Sequence, residues 1–424
     1  MKNALVAQSG GPSPVINASL QGVVEACFDY DGIDKVYAAW HGIEGVLLEE
    51  LIDMTQQDRN EIALLKNTPA AGAIGTCRYK LKEDQHDDFN RIIDVFEAHN
   101  IGYFFYIGGN DSMDTAAKVS KLAKERNFEL TVVGVPKTID NDVGDSEFKI
   151  IDHTPGYASA ARYWATIMQN VEEENRGMHV SECVAVFQAM GRKSGWLTAA
   201  SRLADPQRKM PLQLYFAETH HNLESLAENV NEQLKRDGRC IVVVNEGFDV
   251  GNIGASHDGF GHIEYGASEI TAMQAVTNYL NKLGLKARGQ ATGQMPGVLQ
   301  RGCSIHASKV DVEEAYNVGR KAVQIAFEDG TGYMATTLRK KQDKYEAYFD
   351  KVELEKVANS ERFLPNSWID KNGIDVTDDF IKYAQPLIQG GWPDIKIENG
   401  LQRFARIQRK LIDKKLPAYK PQAF

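Results

Sequence analysis

An α/β fold of βαβ units on a largely parallel sheet, in two domains, is the architecture this sequence predicts, and three observations predict it. Short apolar runs alternate with helix-length amphipathic segments from the N-terminus onward, the pattern of βαβ units. All but the second of these runs end in glycine, polar or charged residues, as strands do when their carboxyl ends face a ligand. At 424 residues the chain exceeds the size at which one core stops growing, so two domains are expected.

The first run, ALVA (4–7), leads through SGGPSPVINAS into a helix expected over 17–28. KVYAAW (35–40) carries no comparable tail. A helix over 87–99 precedes GYFFYI (102–107), whose tail GGNDS opens a helix over 112–127. LTVVGV (130–135) ends in PKTIDND, CVAVFQA (183–189) in MGRKSG, and CIVVV (240–244) in NEG. Further helices are expected over 153–175, 194–204, 221–237, 268–284 and 311–327. From about residue 352 the texture changes: strand-like runs become rare and a basic stretch, LQRFARIQRKLIDKK (401–415), reads as a solvated helix face packed on the main body ahead of a nucleic-acid or membrane contact. The C-terminal extension is therefore expected to be mainly helical. No solenoid repeat or low-complexity linker is present.

With 43% hydrophobic and 25% charged residues the composition is that of an ordinary globular protein. A net charge of −10 gives no overall attraction for nucleic acid or anionic membrane, so neither is an expected partner, and any phosphate ligand must be held by a few placed cations. Five cysteines without metal-type spacing read as free thiols in a reducing compartment. The N-terminus has no long apolar region and no run approaches about 18 apolar residues, so a cytoplasmic location is expected.

The tails carry the chemistry. Gly10 and Gly11 stand between a strand and a helix N-terminus, where a ligand oxygen can approach bare backbone and unpaired N–H groups at the positive end of the helix dipole. That suits a phosphate, although neither the GxGxxG nor the GxxxxGK[ST] spacing is present and a plain glycine turn stays open as an alternative. Gly108 and Gly109 repeat the arrangement and set Asp111 and Ser112 at a helix start. Capping would explain either residue; the two glycines favour a ligand, and because an aspartate here repels phosphate, Mg²⁺ is expected between them. Arg78, in GTCRYK, offers a planar fork for a transferring phosphoryl group, though a lone arginine beside a loop is also ordinary surface charge.

In PKTIDND, Lys137 could be surface charge, Thr138 a cap and the aspartates a turn. Against this, the neighbouring tails converge on one cleft with complementary groups. Deprotonating an attacking hydroxyl needs a carboxylate within hydrogen-bond reach, a role Asp140 fits two residues from Thr138, with Asp142 as a second carboxylate. Met190 and Gly191 allow close backbone approach, Arg192 is an anion clamp, and Glu246 can accept from sugar hydroxyls. Arg288 and Arg301 read as further phosphate ligands. Together these residues describe a phosphorylated sugar acceptor opposite a phosphorylated donor.

TIDND (138–142), MGR (190–192), GG-x-x-S (108–112), NEG (245–247), QRG (300–302) and DGTGYM (329–334) jointly resemble the phosphofructokinase family, over residues 1 to about 340. The resemblance implies two Rossmann-like domains with the sugar-phosphate site between them: a donor domain over 1–143 completed by part of 303–350, a sugar-phosphate domain over 144–302, and the extension 351–424. It implies reversible Mg²⁺-dependent phosphoryl transfer to fructose 6-phosphate in a homodimer or homotetramer, with Asp140 taking the proton of the sugar 1-hydroxyl.

Family members that use ATP typically carry glycine where Lys137 and Asp111 stand here. A side chain at 111 occupies the path of a nucleotide α-phosphate and adds like charge. Lys137 can meet the leaving phosphate, an attraction of roughly 4 kcal/mol at ~4 Å in an effective dielectric near ~20 before desolvation, or about a thousandfold in rate. Both substitutions resemble the pyrophosphate-dependent branch, so pyrophosphate is the expected donor. The family's usual metal-binding aspartate is Asn110, which shifts Mg²⁺ coordination toward Asp111. GGPSPVIN differs from the ATP enzymes' GGD-x-PGMN. Gln21 and Glu25 replace effector-binding arginines, which argues against nucleotide allostery. Cys183 replaces an arginine that usually reaches the adjacent subunit's sugar phosphate, which puts strict preference for fructose 6-phosphate over sedoheptulose 7-phosphate in question. The rival readings are an ATP-dependent phosphofructokinase, a nicotinamide-nucleotide kinase and a non-catalytic sugar-phosphate sensor.

Overall fold

A computed structural model describes residues 1–82, 84–251, 270–358 and 360–422. The strands that build its two main sheets are β1 (Lys2–Gln8), β2 (Ile33–Ala39), β3 (Leu51–Asp53), β4 (Ile101–Gly108), β5 (Thr131–Pro136), β6 (Val184–Ala189), β7 (Leu212–Tyr215), β8 (Cys240–Asn245), β9 (Ala291–Gln294), β10 (Tyr333–Arg339) and β11 (Ala347–Glu353). The first sheet has the order β11-β10-β5-β4-β1-β2-β3. It is parallel except at its edge strands, β3 and β11. The second, β7-β8-β6-β9, is parallel throughout.

The apolar runs are unbroken because both faces of each sheet are buried. In β1, Leu5 and Ala7 point into one core while Ala4 and Val6 point into another. In β6, Phe187 and Ala189 face one core, Val184 and Val186 the other. The expected helices appear as Ile16–Phe28, His86–Ala98, Asn110–Glu125, Tyr157–Met178, Trp196–Ala200 followed by a 3-10 turn, Leu223–Asp237 and Lys309–Glu328. Residues 268–269 of the helix expected over 268–284 lie outside the described residues; the remainder is helical over Ala272–Leu283.

The extension corrects one expectation. Among the described residues it contains only short helical pieces, such as Leu354–Val357 and Asp378–Ala384, and no helix over 401–415. Left-handed Gly400 and Pro417 bracket 401–415, and Gly390, Gly391 and Pro393 interrupt the chain just before it. The main body also supplies the partners that helix hydrogen bonds would have used. Backbone N–H groups of Ala405, Gln408, Ile412 and Lys415 donate to Thr68 Oγ1, Gln57 Oε1, the Leu51 carbonyl and Glu49 Oε1. The extension thus straps both sheets: Phe380, Tyr383 and Leu387 enter a core of the second, and Ala405 and Ile412 pack on the first.

Strand order reverses between β1 and β4, a switch point of the kind that opens a crevice at the strand ends. Register aligns the tails, with Ile107 opposite Gln8, Pro136 opposite Gly108, and Asn245 opposite Ala189.

Candidate active site

The loop after β1 is extended by a neighbouring segment. Ser9 bridges Cys77, Gly10 N donates to the Cys77 carbonyl at 2.9 Å, and Thr76 Oγ1 donates to the Gly10 carbonyl at 2.9 Å. This brings Arg78 to Gly11. A Cβ built on Gly11 would lie 2.6 Å from Arg301 Nη1 and 3.7 Å from Arg78 Nη2, so only glycine leaves both guanidiniums in place.

Lys137 enters the same space from β5. Its N–H donates to the Gly108 carbonyl at 2.9 Å and its Nζ to the Gly11 carbonyl at 2.6 Å, and the residue is buried. Burial, reinforced by the Arg301 and Arg78 charges, pushes the ammonium down to about 7, despite the opposing pull of Asp140. A lysine held this way sits among cations and, among the described residues, hydrogen-bonds a single carbonyl, an environment that an anion would complete. Arg301, expected on the sugar-phosphate side, stands beside Gly11 and Lys137.

The helix Asn110–Glu125 begins beside this pocket, with Gly109 at its N-cap. A Cβ on Gly108 would clash with the Ser112 side chain. Asp111 forms an ion pair with Lys80 at 2.7 Å. Lys80 was not singled out from the sequence, although it lies two residues from Arg78, the spacing that puts side chains on one face of an extended segment.

For Mg²⁺, no group of three or more acidic, histidine or cysteine ligands occurs among the described residues. Mg²⁺ ordinarily takes only one or two carboxylates plus phosphate oxygens and water. Asn110 Oδ1 is buried with no hydrogen-bond partner, and the Asp111 carboxylate follows on the same helix turn. This pair of hard oxygen donors fits such an ion.

Across the cleft, Arg192 reaches the TIDND loop. Its Nε lies 3.2 Å from Asp140 Oδ2, and its Nη2 pairs with Asp142 Oδ2. Burial raises the Asp140 carboxyl, Arg192 opposes the rise, and Asp142 adds to it. Asp142 in turn holds the Arg192 guanidinium firmly protonated. Thr138 Oγ1 accepts from Asp140 N at 3.1 Å, which turns the loop back on itself.

Arg192 has φ 53 and Gly191 φ 129, a tight turn after β6. Glu246 Oε1 fastens it, accepting from Gly191 N at 3.0 Å and Arg192 N at 2.7 Å. Burial, with the Asp140 charge, pushes the Glu246 carboxyl up to about 7. Met190 N donates to Gln300 Oε1 at 2.9 Å, as does Trp164 Nε1 at 3.0 Å. Gln300, inside the QRG segment, thereby ties the helix Tyr157–Met178 to the MGR turn.

Arg288 is not brought to this cleft. It is exposed, and its neighbour Gly289 packs on Ser181–Cys183, at the start of β6. The MGR turn is at the other end of that six-residue strand, roughly 20 Å away. The KARG segment follows the helix Ala272–Leu283 and feeds β9, so within one chain it lies at the wrong end of the sheet. Cys183 is fully buried there.

Residues 3–326 match the phosphofructokinase family. Over 99% of its length the chain is 39% identical to the pyrophosphate–fructose 6-phosphate 1-phosphotransferase of Halomonas elongata, and 99% of that protein is covered. Two solved structures are similar over nearly their whole length. The pyrophosphate-dependent phosphofructokinase of Marinobacter aquaeolei aligns with a TM-score of 0.86 at 36% identity, covering 99% of each chain. That of Nitrosospira multiformis aligns with a TM-score of 0.88 at 35% identity, covering 99% of this chain and 100% of the other.

Proposed function

The chain belongs to the phosphofructokinase family, and from that premise we infer that it transfers a phosphoryl group from pyrophosphate to the 1-hydroxyl of fructose 6-phosphate, giving fructose 1,6-bisphosphate and phosphate. One observation carries the choice of donor: a buried lysine ammonium, bonded to the Gly11 carbonyl and flanked by Arg78 and Arg301, at a pocket whose rim is held by the Lys80–Asp111 ion pair. The cations suit a compact, highly charged donor, and the family resemblance would set the Asp111 side chain of that ion pair in the path of a longer polyphosphate chain. Among relatives, the Halomonas elongata protein carries the same donor in its name.

We divide the roles as follows. Residues 1–143, with part of 303–350, bind the donor: Gly10, Gly11, Gly108, Gly109 and Ser112 let phosphate oxygens approach backbone and helix N-terminus, and Arg78 and Lys137 hold their charge, joined by Arg301 from the acceptor domain. Residues 144–302 bind the acceptor, through Met190, Gly191, Arg192 and Glu246, with Thr138 shaping the loop between. Asp140, whose burial raises its proton affinity, takes the proton of the 1-hydroxyl, and Asp142 and Arg192 orient it. Lys137 and Arg192 meet the developing phosphoryl charge. Asn110 and Asp111 would hold Mg²⁺, which when bound neutralises phosphate charge and aligns the donor. Transfer from pyrophosphate exchanges species of similar energy, so the reaction runs in both directions. We further propose a cytoplasmic homodimer or homotetramer, consistent with exposed Val298, Leu299, Ile305 and Trp392. Arg288 then serves outside its own chain's cleft or not at all.

The test is kcat/KM with pyrophosphate and with ATP, each with fructose 6-phosphate and with sedoheptulose 7-phosphate as acceptor. A pyrophosphate preference of ~100-fold or more is expected; preference for ATP would overturn the donor assignment, and binding without turnover would favour a sensor.

A further inference from the structure

The extension that no motif explains reaches the active site through one buried side chain. Arg362 follows the short helix Leu354–Val357 in irregular chain and is 1% exposed. Its guanidinium donates to three oxygens of the loop that carries the catalytic carboxylates. Nε meets the Asn141 carbonyl at 3.0 Å, Nη2 meets Asn141 Oδ1 at 2.7 Å, and Nη1 meets the Ile151 carbonyl at 2.8 Å. Its own N–H donates to the Asp142 carbonyl at 2.8 Å. The Phe148 and Trp196 rings flank the guanidinium at 4.9 and 5.5 Å.

Asn141 is the reason these bonds matter. It stands between Asp140 and Asp142 with φ 55, a left-handed conformation uncommon for residues with a side chain but one that asparagine tolerates better than most. Both of its polar ends are met from the extension, where Arg362 takes the carbonyl and Oδ1 and Asn141 Nδ2 donates to Tyr383 Oη at 3.1 Å, itself a donor to the Asp152 carbonyl at 2.8 Å; Thr154 N adds a bond to Oδ1 at 3.1 Å from within the loop. With this twist, the carboxylates on either side of Asn141 both converge on Arg192. The oxygens that Arg362 engages are neutral, so among the described residues no carboxylate in hydrogen-bond contact offsets the burial of its charge. What the arrangement secures is the shape of the turn.

We propose that Arg362 is a positioning residue for phosphoryl transfer, acting with Tyr383 through Asn141 on the aim of Asp140 and Asp142 while touching no substrate itself. The proposal rests on the assignment of Asp140 as the base. Arg362→Lys keeps the charge but cannot span three acceptors. In the full-length protein it should lower kcat roughly 10- to 100-fold while KM for pyrophosphate and fructose 6-phosphate stays within about threefold, and guanidinium ions should restore part of the kcat lost in Arg362→Ala. A purely structural role predicts a lower melting temperature with kcat per folded molecule unchanged, and that result, or parent-like turnover in Arg362→Lys, overturns the proposal. Where the Arg362 variants fail to fold, Tyr383→Phe, which removes one hydroxyl, decides the matter: reduced kcat at unchanged KM supports the role and parent-like kcat rejects it. A parent protein inert with pyrophosphate counts against the donor assignment alone, and the same variant-to-parent ratios measured with ATP still test the turn.

Discussion

Asp140 and Asp142 share one guanidinium, and Glu246 locks the backbone that presents it. Replacing Asp140 by Asn should therefore leave the cleft assembled while lowering kcat by ~10²–10⁴, with little change in KM for the sugar; steady-state kinetics on the purified variant checks this. Lys137 makes two predictions about pH. Its proton is lost near 7 in the ligand-free protein, so kcat/KM for pyrophosphate should fall above about that pH, whereas bound pyrophosphate stabilises the ammonium and moves the corresponding limb of kcat upward. The unfolded lysine keeps its proton to 10.5, so between about 7 and that value the unfolded chain binds more protons and stability climbs with pH. Lys137→Met removes this slope: the inactive variant should melt several degrees above the ligand-free parent near about pH 6, with the gap closing toward about pH 10. Thermal melts across pH give the answer.

At the scale of elements, the site is made by strand tails and the helix starts behind them. Gly11→Ala should push the Arg301 guanidinium aside and raise KM for pyrophosphate up to ~100-fold with the fold intact. Asp111→Gly, which removes the carboxylate that Lys80 pairs with, should raise the ATP to pyrophosphate ratio of kcat/KM by ~10-fold or more, read in parallel assays. The same elements mark what was legible in the sequence. β1, β4, β5, β6 and β8 are buried on both faces, so their runs stand out, and their tails hold the residues found together here. β9, Ala291–Gln294, is four residues with a glycine and two polar side chains, too short and too polar to declare itself. Lys80 and Gln300 lay inside recognised segments but gained meaning only once their partners across the chain were visible. Nothing local distinguished Arg362, because its role depends on a turn some 220 residues away. The helical reading of 401–415 failed for the opposite reason, since the strap's hydrogen bonds go to distant side chains.

For the whole molecule, the strap closes over buried charge. Glu49 is fully buried, with Arg91 at 3.3 Å, His99 at 2.7 Å, and the backbone N–H groups of Lys415 and Leu416 at 2.9 and 3.2 Å. Asp88, equally buried, accepts from Tyr419 Oη at 2.6 Å and from Gln422 N. Ending the chain at Phe404 strips these carboxylates of donors worth about 1.5–3 kcal/mol each, so the truncated protein should melt about 5 °C or more below the parent, while Arg362 and Tyr383 keep their places and kcat is largely retained. Calorimetry and turnover on one preparation separate the two effects.

The first sheet also stays open until late in synthesis. β5 gains its outer neighbour, β10, only after roughly 200 further residues, which a ribosome adding ~5–20 residues per second supplies in ~10–40 s. During that interval the nascent N-terminal segment exposes an apolar strand edge, the kind of template on which chains aggregate. Holding chaperones would protect the protein there, and a translational pause between residues 137 and 332 would cost more yield than one anywhere later.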